Sequence, residues 1–143
     1  MRKLLTILAL AVLGASGSVF AQSSPAKAPP VALKGNDPVS YFTQGHPVKG
    51  ASTINYDFDE SRYLFSSPKN KETFASNPDR YTPQFGGLCA TGLSMGMKAE
   101  ADPRVFKIVD GKLYVFSSTQ ALEMVEKDPS LLKKAHESWQ HKK

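Results

Sequence analysis

Sulfur is the most distinctive chemistry this chain has to offer. Its one cysteine, Cys89, and two of its four methionines, Met95 and Met97, fall in a single glycine-rich stretch that runs from Pro83 to Met97. Thiolate and thioether ligands favour Cu(I) over hard cations. Gly92 and Gly96 would let the backbone fold back, so that Met95 or Met97 could approach Cys89. His46, from the N-terminal segment, is a candidate third donor. The ligand set expected for a soft metal ion, copper first, is therefore Cys89, Met95, Met97 and His46. The same residues also have plainer uses. A lone cysteine among small neighbours packs as a small hydrophobe, methionines fill gaps, and a histidine before a proline is an ordinary loop residue. The sequence leaves both readings open.

A second chemistry for Cys89 is that of a reactive thiol in a redox or detoxification protein. If Gly86-Gly87 leads into a helix, the thiol would lie in the first turn, where the dipole favours thiolate. Against this, the chain has no Cys-x-x-Cys and no resolving cysteine. A third reading is a protein-interaction module with no metal, in which some of Tyr41, Phe42, Tyr56, Tyr63, Tyr81 and Phe85 line a groove. Other catalytic signatures are lacking: there is no phosphate-binding glycine loop, no Gly-x-Ser-x-Gly and no His-Glu-x-x-His. Asp57, Asp59 and Glu60 sit on a hairpin turn without the spacing of a calcium loop.

The elements that must position these residues follow an export leader. Arg2 and Lys3 precede an apolar run from Leu4 to Leu13, and Val19-Phe20-Ala21 has the small residues of a signal-peptidase site. Residues 1–21 read as a signal peptide, 22–32 as a disordered Pro-rich linker and 33–141 as one domain. The apolar run is about ten residues against the roughly 20 that span a bilayer, so no membrane span is expected after cleavage. The expected location is periplasmic or secreted. Loss of Arg2 and Lys3 lowers the net charge from +5 to +3, a mild surplus without the aromatic interleaving of a nucleic-acid site. A single cysteine cannot form an internal disulfide, so stability must come from a packed core.

Within the domain, Asp37-Pro38 opens a short helical turn. Thr53 to Phe58 alternates apolar and polar residues, Asp59-Glu60-Ser61 turns the chain, and Arg62 to Ser66 returns as a second strand. Ser67-Pro68 caps a helix that presents Phe74 and stops before Asn77-Pro78. The same plan recurs downstream. Val105 to Val109 is a strand, Asp110-Gly111 is a hairpin turn, and Leu113 to Phe116 returns. Ser118 caps the next helix, and Leu131, Leu132, Ala135 and Trp139 share one face of a last helix. At a shift of 51 residues, Tyr63 meets Tyr114, Phe65 meets Phe116, Ser67 meets Ser118 and Pro78 meets Pro129. The expected fold class is α+β: a small single domain of two hairpin-plus-helix units with a C-terminal helix, the glycine-rich stretch lying between the units.

Tyr63-Leu64-Phe65-Ser66-Ser67, Phe74, Pro78 and Tyr81 together resemble the YHS domain family. Asp37-Pro38-Val39-Ser40-Tyr41-Phe42, Gly86-Gly87-Leu88-Cys89-Ala90 and Asp110-Gly111-Lys112-Leu113-Tyr114 are similar to its secreted bacterial branch. The resemblance extends from about residue 33 to Trp139. It implies a compact module of the kind found in copper-transporting ATPases and associated with heavy-metal binding. Metal-associated members carry a cysteine after the Tyr-x-Phe and another four residues on. Here those positions are Ser66 and Asn70, so that thiolate pair does not carry over, whereas Cys89 keeps the secreted branch's Gly-Gly-x-Cys-Ala setting. The expectation is an envelope-located binding module, with copper as its leading ligand and no catalytic residues assigned.

Overall fold

The computed structural model describes residues 26–141; the expected signal peptide and its cleavage point lie outside them. From Pro30 onward the chain is tied into the fold, because the Pro30 carbonyl accepts the Arg62 N–H at 2.9 Å and Val31 bridges Arg62 in parallel. A short left-handed turn, Ala32–Gly35, leads to α1 (Ser40–Thr43). The first hairpin is β1 (Ala51–Phe58) and β2 (Ser61–Phe65), followed by α2 (Pro68–Ser76) and the single turn α3 (Pro78–Tyr81). A second left-handed turn, Gln84–Gly87, leads to α4 (Ala90–Ser94). The second hairpin is β3 (Asp102–Val109) and β4 (Lys112–Phe116), and α5 (Thr119–Lys127) and α6 (Ser130–Gln140) complete the chain. The protein is a small α+β domain of two hairpin-plus-helix units with a C-terminal helix, as the residue pattern predicts.

The two hairpins share one register. Ala51 pairs with Phe65 and Phe58 with Ser61; Asp102 pairs with Phe116 and Val109 with Lys112. Each hairpin is interrupted once at the same place, between Ala51 and Asn55 and between Asp102 and Phe106. Both turns run through positive φ, at Asp59 and Glu60 (46° and 60°) and at Asp110 and Gly111 (51° and 72°). That geometry matches the right-handed twist of paired strands. Ser67 and Ser118 each cap the following helix, accepting the Asn70 N–H at 3.1 Å and the Ala121 N–H at 3.2 Å.

The likeness reaches further than the hairpins. Val31 bridges Arg62 as Pro83 bridges Leu113, and Asn36 bridges Lys49 as Leu88 bridges Glu100. The left-handed turns match in backbone, with φ of 50°, 50° and 82° at Leu33-Lys34-Gly35 and 60°, 62° and 81° at Phe85-Gly86-Gly87. The glycine-rich stretch therefore does not lie between the units, as expected from the sequence. It forms the entry segment of the second unit, and residues 31–46 form that of the first. Composition hid the match, since one segment uses glycine where the other bears side chains.

Each unit buries its own apolar cluster. In the first, Phe74 is fully buried against Tyr63, Phe65 and Val39, with Ile54, Tyr56, Phe58 and Tyr81 at the margin. In the second, Leu113, Val115 and Phe116 meet Cys89, Ala90, Leu93, Val125, Leu132 and Ala135. The units are joined by Tyr41, which is 1% exposed, donates its hydroxyl to the Pro103 carbonyl at 2.7 Å and meets Phe106 edge-on.

α6 seals the second cluster along the stripe Leu132, Ala135 and Trp139. His136, beside that stripe, is half-buried, stacked edge-on against Phe85 with its Nε2 2.8 Å from the Tyr114 hydroxyl. Desolvation, reinforced by the Lys112 charge, holds its pKa below the ordinary 6.5. A depressed histidine pKa means that the unfolded chain takes up this proton first. Its contribution to stability is complete above the unfolded value and is lost as pH falls through the folded one. Urea midpoints should therefore drop between about pH 8 and about pH 5.5, and His136→Gln should flatten that drop. An equal drop in both proteins would remove His136 from the account.

Candidate functional site

Cys89 stands immediately before α4 and is 1% exposed. Its Sγ accepts the Gly92 N–H at 3.5 Å, so the thiol serves as the cap of a one-turn helix. The S–H lies 3.4 Å from the hydroxyl of Ser117, an exposed residue just beyond β4. Its backbone N–H donates to the Ala99 carbonyl at 2.9 Å. Two walls of the sulfur are thus polar and the remainder is core: Ala90, Leu93 and Val115 are all at most 1% exposed.

The matching position in the first unit is Asp37. Its N–H donates to the Val48 carbonyl at 2.8 Å, as that of Cys89 does to Ala99. One carboxylate oxygen accepts the Val39 N–H at 2.9 Å, which heads α1. The other accepts the Ser66 N–H at 2.8 Å, the Ser66 hydroxyl at 2.7 Å and the Asn70 amide at 2.7 Å. Asp37 is fully buried. In both units, then, the residue that opens the short helix is bonded to the serine that follows the second strand. Asp37 does it with a carboxylate and Cys89 with a thiol.

The sequence offers Asp37 only as a helix cap, and its tie to Ser66 and Asn70 emerges with the fold. The detectable signal was its place two residues after Gly35, matching Cys89 two residues after Gly87. Ser66 and Asn70 are neighbours here, 3.3 Å apart between amide nitrogen and hydroxyl. Both are bound to Asp37 through hard nitrogen and oxygen atoms, a donor set unsuited to a soft metal. Among the described residues no buried side-chain nitrogen or oxygen lacks a partner.

The remaining expected ligands lie elsewhere. α4 ends in a Schellman turn, in which the Gly96 N–H bonds the Leu93 carbonyl at 2.9 Å and the Met97 N–H bonds the Gly92 carbonyl at 2.9 Å. Met95 and Met97 flank Gly96 on this turn and are 50% and 55% exposed. His46 follows Gly45 as Met97 follows Gly96, both glycines having positive φ. It thus holds the equivalent place on the other unit, exposed, with Nδ1 3.4 Å from the Pro47 carbonyl. Among the described residues no group of three or more His, Cys, Asp or Glu side chains could hold a metal ion. Asp57 is occupied by Arg62 across the hairpin, at 2.7 and 2.8 Å, and these hydrogen bonds hold its carboxyl below the usual range.

The Asp37 knot has a measurable consequence. Asp37→Ala leaves the buried Val39 N–H without its acceptor, at about 1–3 kcal/mol for a buried unsatisfied group, and frees the part-buried Ser66 N–H and Asn70 amide, which water can reach. A loss of about 1–3 kcal/mol in urea unfolding is expected, with Asp37→Asn less damaging because it keeps one carbonyl acceptor. If Asp37→Ala unfolds like the wild type, the knot does not hold the first unit together.

No helix among the described residues is long and apolar enough to cross a membrane. Comparison of the chain with protein-family models, with curated proteins and with solved structures finds no match.

Proposed function

We propose that the mature chain is a non-catalytic binding module of the cell envelope, of the YHS kind, whose ligand is a soft metal ion, copper first. The binding atoms are read as the thioethers of Met95 and Met97, with Cys89 as a structural cap in place of the central ligand expected from sequence. One observation carries this reading. The sulfur atoms of the glycine-rich stretch divide into a sealed thiol, 1% exposed, and two exposed methionines two residues apart on one turn, while Met124, 42% exposed, lies apart from them on α5. A residue at the Met97 position of a Schellman turn commonly packs back on the helix. Here the opposing helix position is Gly92, which has no side chain to offer and whose bare face is met by Ala99, and Met97 stays 55% exposed. Thioethers suit Cu(I) and carry no proton to displace, whereas a thiolate must first lose one.

The test is competition for Cu(I) against a chromogenic chelator under reducing conditions. The mature protein should retain one equivalent with an affinity that is flat between about pH 5 and about pH 7. Met95→Leu with Met97→Leu should abolish retention, and Cys89→Ser should keep it. Loss in Cys89→Ser alone, or a steep rise of affinity with pH, would return the site to the thiol. No retention by the wild type would sink the metal reading and leave an interaction module.

The redox alternative is separated by alkylation. A thiol sealed to this degree should react with iodoacetamide only after denaturation. Rapid modification of Cys89 in the native protein near neutral pH would favour a thiol-dependent role.

A further inference from the structure

We propose that Lys34, Lys49 and Arg104 form a binding site for a phosphate-type oxyanion at the seam between the two units. They line one open cleft of about 380 Å³ together with Asn36, Asp102 and Pro103. Lys34 and Lys49 come from the first unit and Arg104 from the second. Three cations therefore face a single carboxylate, and that carboxylate is committed: Asp102 accepts from Arg104 at 2.7 Å and 3.0 Å. Those hydrogen bonds, with Lys34 adding its charge, draw the Asp102 carboxyl down to about 2. Two positive charges remain uncompensated in the cleft.

The backbone at Lys34 strengthens the case. Leu33, Lys34 and Phe85 all adopt left-handed φ, an arrangement that is costly for residues bearing a Cβ. Leu33 and Phe85 are held there by burial, at 7% and 4% exposed. Lys34 is exposed and buries nothing in return. At the matching position of the second unit the chain has Gly86, with φ of 62°, which meets the same backbone without strain. A lysine thus occupies a place that glycine fits better, and it adds like charge to a site already holding Lys49 and Arg104. Strain of this kind persists where the residue serves something other than the fold.

Lys49 is also preorganised. Its ammonium donates to the Lys34 carbonyl at 2.5 Å, which holds it over the left-handed turn, and a Cβ placed on Gly35 would lie 3.4 Å from that nitrogen. The guanidinium of Arg104 uses Nε and Nη2 on Asp102. A tetrahedral oxyanion suits this arrangement, since its several oxygens can accept from separate cations at once. Free phosphate and the phosphate of a lipid headgroup share that chemistry.

The experiment uses the mature chain at low ionic strength. Calorimetric titration with inorganic phosphate and with pyrophosphate is run beside sedimentation with vesicles of phosphatidylcholine, alone or mixed with phosphatidylglycerol. The variants are Lys34→Gly, Lys49→Gln, and a control of equal charge loss on the C-terminal helix, Lys133→Gln with Lys134→Gln. Each cleft lysine removed should weaken binding about tenfold, while the control binds as the wild type does. Lys34→Gly should melt no lower than the wild type, which separates loss of the site from loss of the fold. Binding of the soluble anions assigns the site to free phosphate, and binding only of phosphatidylglycerol vesicles assigns it to a headgroup. Either supports the proposal. Absence of both, or equal weakening in the control, overturns it.

Discussion

The short helix at the front of each unit has to be fastened to the end of the second strand, and the rest of the fold is arranged around that fastening. A one-turn helix has too little internal bonding to persist by itself. In the first unit Asp37 supplies the tie, reaching both the head of α1 and the Ser66–Asn70 pair. In the second, Cys89 does the same with one sulfur, weakly, between Gly92 and Ser117. The two solutions differ in strength, and the surroundings differ accordingly. The thiol side has a deep apolar cluster and a long covering helix, while the carboxylate side has only the single turn α3 where α6 would be. Polar satisfaction holds one half and hydrocarbon burial the other.

With a single cysteine the chain has no internal disulfide, and packing has to hold the domain together. A two-stranded hairpin cannot bury its apolar side chains alone. α2 covers the first through Phe74, and α5 with α6 covers the second. Tyr41 then crosses the seam to Pro103 and Phe106, so the helix of one unit completes the core of the other. The oxyanion cleft opens on this seam, where charged side chains from both units meet without a core to exclude them.

Much of this was legible beforehand, and the reasons are specific. Asp110-Gly111, Ser67-Pro68 and Asn77-Pro78 are local punctuation, and local backbone rules place turns and helix ends wherever they occur. The alternation of Tyr63 with Phe65 oriented β2, whereas β4 is buried at each of Leu113, Tyr114, Val115 and Phe116 and takes its orientation from the repeat. The entry segments were harder, because matching Leu33-Lys34-Gly35 to Phe85-Gly86-Gly87 requires backbone angles that residue identity does not carry. The candidate ligands were read from sulfur chemistry and proximity along the chain, which placed Cys89 beside Met95 and Met97. The fold turns the thiol inward as a cap and leaves the thioethers outside.

Taken alone, the chain determined its two hairpins, its helix caps, its class and the kind of chemistry its side chains could offer, since each of these depends on residues a few positions apart. Tertiary packing decided which of those side chains are available. Burial of Cys89, capture of Ser66 and Asn70 by Asp37, and convergence of Lys34, Lys49 and Arg104 all join residues from 15 to 70 positions apart. Such distances are closed only by the apolar cores that draw the units together. Whether a side chain faces that core or water is a property of the assembled surface.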